Sequence, residues 1–429
     1  MKTYRNCDGV TRRELLKIGM LGGMGLSLAD YLRLEAAGAV QAPRARAAIY
    51  FRLGGGPPHL DTFDMKPDAP VEYRGTLKPI KTRMPGMQIS EQLPLLAACA
   101  DKFTILRGVS HGLADHGLGT RYLSSGNRPL ASLEYPSLGT VAAKELSSPA
   151  DIPAYVTMSG ATHESGYLGV KYGPFNANVS APGQKANVPG LNRPIRAEEM
   201  ARRKTLLQMV DTVFNGIEKD HEVLGGLDEF SAKAYNMLAS ARAREALDLT
   251  KEPAHIVERF GAGEGGQAGL LACRLVEAGS RFVSYGIGNW DMHEELYTRL
   301  NVTAPLLDRA LSALLTTLAE RGLLETTLVI VTGEFGRTPK INSRAKPGRD
   351  HWSRAMFVLM AGGGVRNGQI VGASDARGEG PDQDAITPDD VAATVLHALG
   401  IDHKHEYQVS SGRPIMIVRE GRIIPGLFV

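Results

Sequence analysis

The sequence predicts an α/β protein built on a doubly wound, mostly parallel sheet with helices on both faces. Two observations carry this. Short apolar runs of strand length end in loops rich in glycine or polar residues, and helix-like stretches alternate with them, the pattern of a sheet covered on both sides. The first run, residues 47–53 (AAIYFRL), leads into Gly54-Gly55-Gly56-Pro57-Pro58. Further strands are expected at 103–109, 154–158, 281–287, 328–332 and 355–361. Helices are expected at 137–145, 197–215, 231–248, 267–277, 303–320 and 388–399, with Gly322 as a natural stop after the fifth. Residues 165–194, rich in Gly, Pro and Asn, read as a surface loop within an irregular insertion around 160–230.

At 429 residues the chain is long enough for one large domain with insertions, or for two. Both charge signs are mixed and sum to +3, which gives no basic groove for nucleic acid. Cys7 falls in the leader described next, leaving Cys99 and Cys273, read as free and buried, with a disulfide between them as the alternative; no Cys-x-x-Cys pair offers a thiolate zinc site.

Residues 1–42 read as an export signal. Thr11-Arg12-Arg13-Glu14-Leu15-Leu16-Lys17 is a twin-arginine motif, followed by a weakly apolar, Gly-rich stretch and small residues ending at Ala39 or Ala42. Asp30 and Arg33 make that stretch a poor membrane span. The expectation is a partner in the twin-arginine export machinery and a periplasmic or extracellular location. That route carries folded proteins, which favours a cofactor acquired before export.

In open parallel sheets, ligands gather at the carboxyl ends of the strands. Here those ends are followed by acids and histidines. After the first strand come His59, Asp61 and Asp64; after the second, Ser110, His111, Asp115 and His116; after the fourth, Asp291 and His293. After the fifth come Glu334 and Arg337, and just before the sixth come Asp350 and His351. Each group alone reads as an ordinary polar turn. Together they form a ligand set for a divalent metal: imidazoles mixed with carboxylates suit zinc, manganese or iron, and carboxylates alone suit magnesium or calcium. Zinc is the first expectation, with calcium, magnesium or manganese as alternatives.

Residues 54–70 (GGGPPHLDTFDMKPDAP), 110–123, 333–339 (GEFGRTP), 348–352 (GRDHW) and 361–372 together resemble the secreted bacterial family called domain of unknown function 1501. That family is grouped with the alkaline-phosphatase-like superfamily of phosphatases, phosphomutases and sulfatases. The resemblance implies an alkaline-phosphatase-like sheet with one or two metal ions at the strand ends, and a small-molecule or polysaccharide phosphate or sulfate ester as substrate. It implies Asp61, Asp291, His293, Glu334, Asp350 and His351 as metal residues. Catalytic roles fall to Ser110 or Thr120 as nucleophile, or a metal-held hydroxide, with His116 beside them and Arg337 on substrate oxygens or in an ion pair with Glu334. The chain departs from the superfamily plan in three places: Asp291 and His293 are closely spaced, Glu334-Phe335 stands where an adjacent Asp-His is usual, and the nucleophile position matches poorly, with Ser110 and Thr120 the available hydroxyls. No Cys or Ser carries the following Pro and Arg that formylglycine chemistry requires.

Two other readings compete. Gly108-Val109-Ser110-His111-Gly112 matches the G-x-S-x-G of serine hydrolases, with Asp291 and His351 following in the right order, yet no clear helix begins after Gly112. A catalytically degenerate, ligand-binding protein would also fit the irregular pairs. Replacing Arg12 and Arg13 together by lysine is expected to leave precursor in the cytoplasm, because the export receptor reads the pair itself rather than its charge. Cell fractionation checks this, and normal export of the Lys-Lys protein by the same route overturns the signal.

Overall fold

The run AAIYFRL forms β1 (Ala47–Leu53), buried along nearly all its length because both faces of the sheet are covered. Ile49, Phe51 and Leu53 point into one apolar core, and Ala48 and Tyr50 into the other. A computed structural model describes residues 43–158, 165–179, 182–186, 240–382, 384–409 and 412–429. Of these, Ala45–Val429 form one compact unit.

The remaining strands of the main sheet are β2 (Thr104–Val109), β3 (Tyr155–Thr157), β4 (Phe175–Asn176), β5 (Phe282–Ile287), β6 (Thr327–Thr332), β9 (Met356–Ala361) and β10 (Ile370–Val371). Their order is β10-β2-β9-β6-β1-β5-β3-β4. β1 pairs in parallel with β5 and β6, whereas β9 runs antiparallel to both β2 and β6. A small ribbon joins β7 (Gly336–Arg337) to β8 (His351–Trp352), with His351 opposite Arg337.

Helices α3 (Glu264–Ala278) and α4 (Leu296–Glu320) pack on one face of the sheet, and α2 (Leu138–Glu145) and α5 (Pro388–Ala398) on the other. The chain is therefore doubly wound, as its alternation predicts, and all six expected strands are present. The helix expected at 197–215, the first half of that at 231–248, most of the 160–230 insertion and the leader lie outside the described residues. From the second of these stretches the structure describes Ala241–Ala246. Among the helices not expected is α1 (His116–Ser125), capped by Asp115, whose side chain accepts from Leu118 N (2.9 Å). Gly117 and Gly119 lower its propensity and mask it in the sequence. Cys99 and Cys273 are both buried and unbonded.

α4 is long and apolar enough to cross a membrane, but 61% of its most apolar window is buried inside this domain. It is the core helix of the α3 face. Its Leu307 is fully buried, while the adjacent Leu306 is 45% exposed. Leu307→Ala is expected to cost about 2–5 kcal/mol of stability in denaturant unfolding, and Leu306→Ala roughly 0.5 kcal/mol or less.

Candidate functional site

Burial alternates along the loop after β5. Trp290 and Met292 are fully buried, and Asp291 and His293 between them are partly exposed at the carboxyl edge. The following segment lies against it: Arg349 N donates to Met292 O (2.9 Å). Gly348 permits that approach, since a Cβ there would lie 2.2 Å from the His293 carbonyl. Asp350 and His351 are thereby delivered beside Asp291 and His293. β9 is antiparallel and starts at this edge, which is why a residue preceding a strand belongs to the cluster.

Three imidazoles meet one carboxylate here. Asp291 Oδ1 lies 3.0 Å from His293 Nε2, 3.2 Å from His351 Nε2 and 3.6 Å from His116 Nε2. The Nε2 atoms of His293 and His351 are 2.9 Å apart. Each ring is oriented from its other nitrogen. His293 Nδ1 donates to Asp350 Oδ1 (2.6 Å), His351 Nδ1 to the Ala114 carbonyl (2.8 Å) and His116 Nδ1 to Glu334 Oε1 (2.6 Å). With the Nδ1 proton so fixed, the neutral form of each ring turns an Nε2 lone pair toward Asp291. Phe335, fully buried, supports the cluster, its ring centroid 5.0 Å from that of His116 and 4.5 Å from that of His351.

Burial disfavours the Asp291 carboxylate, but the hydrogen bond and charge of Arg337 outweigh it and hold the carboxyl down at about 2. Asp350 is likewise held below the usual carboxylate range, because its bond from His293 and the nearby Arg344 outweigh its burial. Asp291, His116 and His351 form a group whose ligand atoms all lie within 4.8 Å of one another.

The structure brings some of the expected site residues together and gives others different partners. Asp61 does not join the cluster. It is fully buried and ion-paired with Arg349, whose Nε and Nη2 lie 2.7 and 3.3 Å from its oxygens. Glu334 and Asp350 reach the cluster through histidines, each orienting a ring from behind. Arg337 is fully buried, and its guanidinium is taken up by protein acceptors. Its Nε donates to Gly56 O (2.9 Å), Nη1 to Arg349 O (3.0 Å) and Nη2 to Asp291 Oδ1 (2.5 Å) and Gly55 O. Its ionic partner is Asp291 rather than Glu334, and desolvation lowers its pKa despite that bond. His116, expected beside a nucleophile, stands among the converging nitrogens.

Thr120, one turn along α1 from His116, accepts from Arg52 Nη1 (3.5 Å). Ser110 follows β2, and its neighbour His111 spends both ring nitrogens elsewhere, on the Glu334 carbonyl (2.9 Å) and the Leu113 amide (3.2 Å). His351, the other candidate base, is turned to Ala114 and Asp291. A serine triad is not assembled. Phe335 was not among the expected site residues, and Asp115, a capping residue type directly ahead of His116, is the signal that could have set His116 at a helix start.

Fold and edge cluster define a doubly wound α/β protein with an imidazole–carboxylate site where its strands end. The chain belongs to the family described as Protein of unknown function (DUF1501), whose profile matches residues 45–428. No curated protein matches it significantly. Among solved structures it is similar to the alkaline phosphatase from the Antarctic bacterium TAB5, at 13% identity and TM-score 0.40, over 85% of this chain and 99% of that one. It is similar to the PsFucS1 sulfatase from Pseudoalteromonas sp., at 12% identity and TM-score 0.39, over 86% and 70%. It is also similar to Ps i-CgsB, at 9% identity and TM-score 0.41, over 83% and 72%. Overlaps of this size assign no activity.

Asp61→Asn is expected to cost about 3–5 kcal/mol in urea unfolding, because it leaves the buried Arg349 guanidinium without its counter-charge. Asp384→Asn, in an exposed loop, should change stability by roughly 0.5 kcal/mol or less.

Proposed function

We propose that this protein is an exported, metal-dependent hydrolase of phosphate or sulfate esters, working through one divalent ion held by His116, Asp291, His293 and His351. The observation that carries the reading is the convergence of three ring nitrogens on one carboxylate oxygen. Two of those nitrogens, at 2.9 Å, have room for one proton between them, and a cation satisfies them together.

The spacing fits a metal. Ligands about 2.0–2.1 Å from a tetrahedral ion stand about 3.3 Å apart, and the separations from Asp291 Oδ1 run from 3.0 to 3.6 Å. Three imidazoles with one carboxylate suit zinc, or manganese or iron, better than magnesium or calcium. The hydrogen bonds behind the histidines are the carboxylate and carbonyl contacts that orient metal-binding rings and fix their tautomers. Asp291, His293 and His116 remain 32–44% exposed at their side chains, so water and substrate reach the edge, unlike a sealed structural site.

A bound ion would polarise an ester oxygen and make coordinated water a nucleophile near neutral pH. The chain's own residues do the rest. Arg337 fixes Asp291, Asp350 and Glu334 hold two rings in register, and Phe335 keeps water from beneath them. With Asp61 committed to Arg349, the arrangement supports a single ion rather than a pair. The twin-arginine motif at Thr11–Lys17 supports export to the periplasm or beyond.

Metal analysis of the purified mature protein is expected to give about one zinc, manganese or iron per chain, with metal-dependent turnover of phosphate or sulfate esters. Asp291→Ala or His351→Ala should lower that stoichiometry several-fold, and chelation should lower Tm. Absence of metal at physiological concentrations overturns the reading. Full metal binding without ester turnover favours a catalytically degenerate, ligand-binding role. Stoichiometric fluorophosphonate labelling of Ser110 that survives chelation restores the serine hydrolase.

A further inference from the structure

Beside the cluster, behind the His116–Glu334 contact, lies a small pocket. Its walls include Tyr50, Arg52, Thr120, Ser284 and Glu334, with Leu123, Leu138 and Phe282 supplying apolar surface. The cavity is about 20 Å³, room for about one water-sized group.

Glu334 makes the pocket chemically specific. Its Oε1 accepts from both His116 Nδ1 (2.6 Å) and Gly55 N (2.9 Å). Its Oε2 is buried with no hydrogen-bond partner, although the residue is only 3% exposed. A buried carboxylate oxygen without a donor is costly, roughly 1–3 kcal/mol or more, so the pocket selects an occupant that donates a hydrogen bond. An anion is repelled by the carboxylate. A cation meets the Arg52 guanidinium, held next to Thr120 with Nη1 3.5 Å from Oγ1. A neutral hydroxyl suits both sides: it donates to Glu334 Oε2 and accepts from Arg52 or Thr120.

We propose that this pocket is a hydroxyl subsite, taking one hydroxyl of the alcohol portion of an ester bound at the edge cluster. The proposal rests on the ester-hydrolase reading above and narrows it to esters of polyols or saccharides over those of simple alkyl alcohols. Glu334 thus has two faces, one orienting His116 and one reading the substrate.

The test compares two phosphates of equal charge, glucose 6-phosphate and hexyl phosphate, by calorimetry on zinc-loaded full-length protein, wild type and Thr120→Val, with zinc content measured on each. The wild type should bind glucose 6-phosphate about tenfold more tightly than hexyl phosphate, the size of one hydrogen bond to a charged group. Thr120→Val, nearly isosteric, should lose about threefold or more of that preference at unchanged zinc content; Arg52→Gln should lose it likewise. Equal binding of the two phosphates, failure of both to bind at millimolar concentration, or a preference untouched by both substitutions overturns the subsite. The two readings separate cleanly. Stoichiometric zinc with no preference removes the pocket and leaves the metal centre standing. A Thr120-dependent preference in protein that binds no zinc keeps the pocket and removes the metal.

Discussion

The carboxyl edge depends on one guanidinium. Arg337 is fully buried and ties together three chain segments: the carbonyls of Gly55 and Gly56 after β1, the carboxylate of Asp291 after β5 and the carbonyl of Arg349 before β8. Planar donors in a fixed fork make this possible, and a flexible ammonium would not span the same acceptors. The glycines are matched to it. Gly55, at φ 112°, has no space for a Cβ, which would lie 2.4 Å from Asp291 N. The main chain is drawn so close to the Asp291 loop that the carboxylate has one place to stand, and the histidines gather around it.

Charge at this edge is arranged as neighbouring, nearly closed circuits. Arg349 and Asp61 neutralise each other beneath the surface, while Arg337 and Asp291 connect interior to edge. Above them, Asp350 is shared between His293 and Arg344. Acids that would repel one another if left together are each given a cation or an imidazole proton. This separation explains why Asp61, one helical turn beyond the loop of β1, serves the fold rather than the cluster.

The strands were legible because a parallel sheet buried on both faces demands continuous apolar runs, and β1, β2, β5, β6 and β9 supply them almost residue for residue. The alternation Trp290-Asp291-Met292-His293 was equally readable, since burial of the first and third residues turns the other two outward. What sequence could not show was partner choice. Asp61 and Asp291 look alike in one dimension, and only the folded chain decides which of Arg337 and Arg349 each meets. α1 was hidden by Gly117 and Gly119, and with it the place of His116 among the converging nitrogens. The direction of β9 was also hidden, because an apolar strand reads the same both ways.

That direction has a consequence for how the molecule holds together. β9 lies between β2 and β6 and is hydrogen-bonded to both, so it joins the strands on its two sides into one sheet. His116 arrives from the β2 side and Glu334 from the β6 side, and their contact spans the gap that β9 fills. His351 enters just ahead of β9 itself. Withdrawal of this one strand would therefore divide the sheet and disperse the cluster in the same motion. An occupant held across this edge would favour the state in which β9 is in place, and so act as a clasp on the sheet that β9 joins.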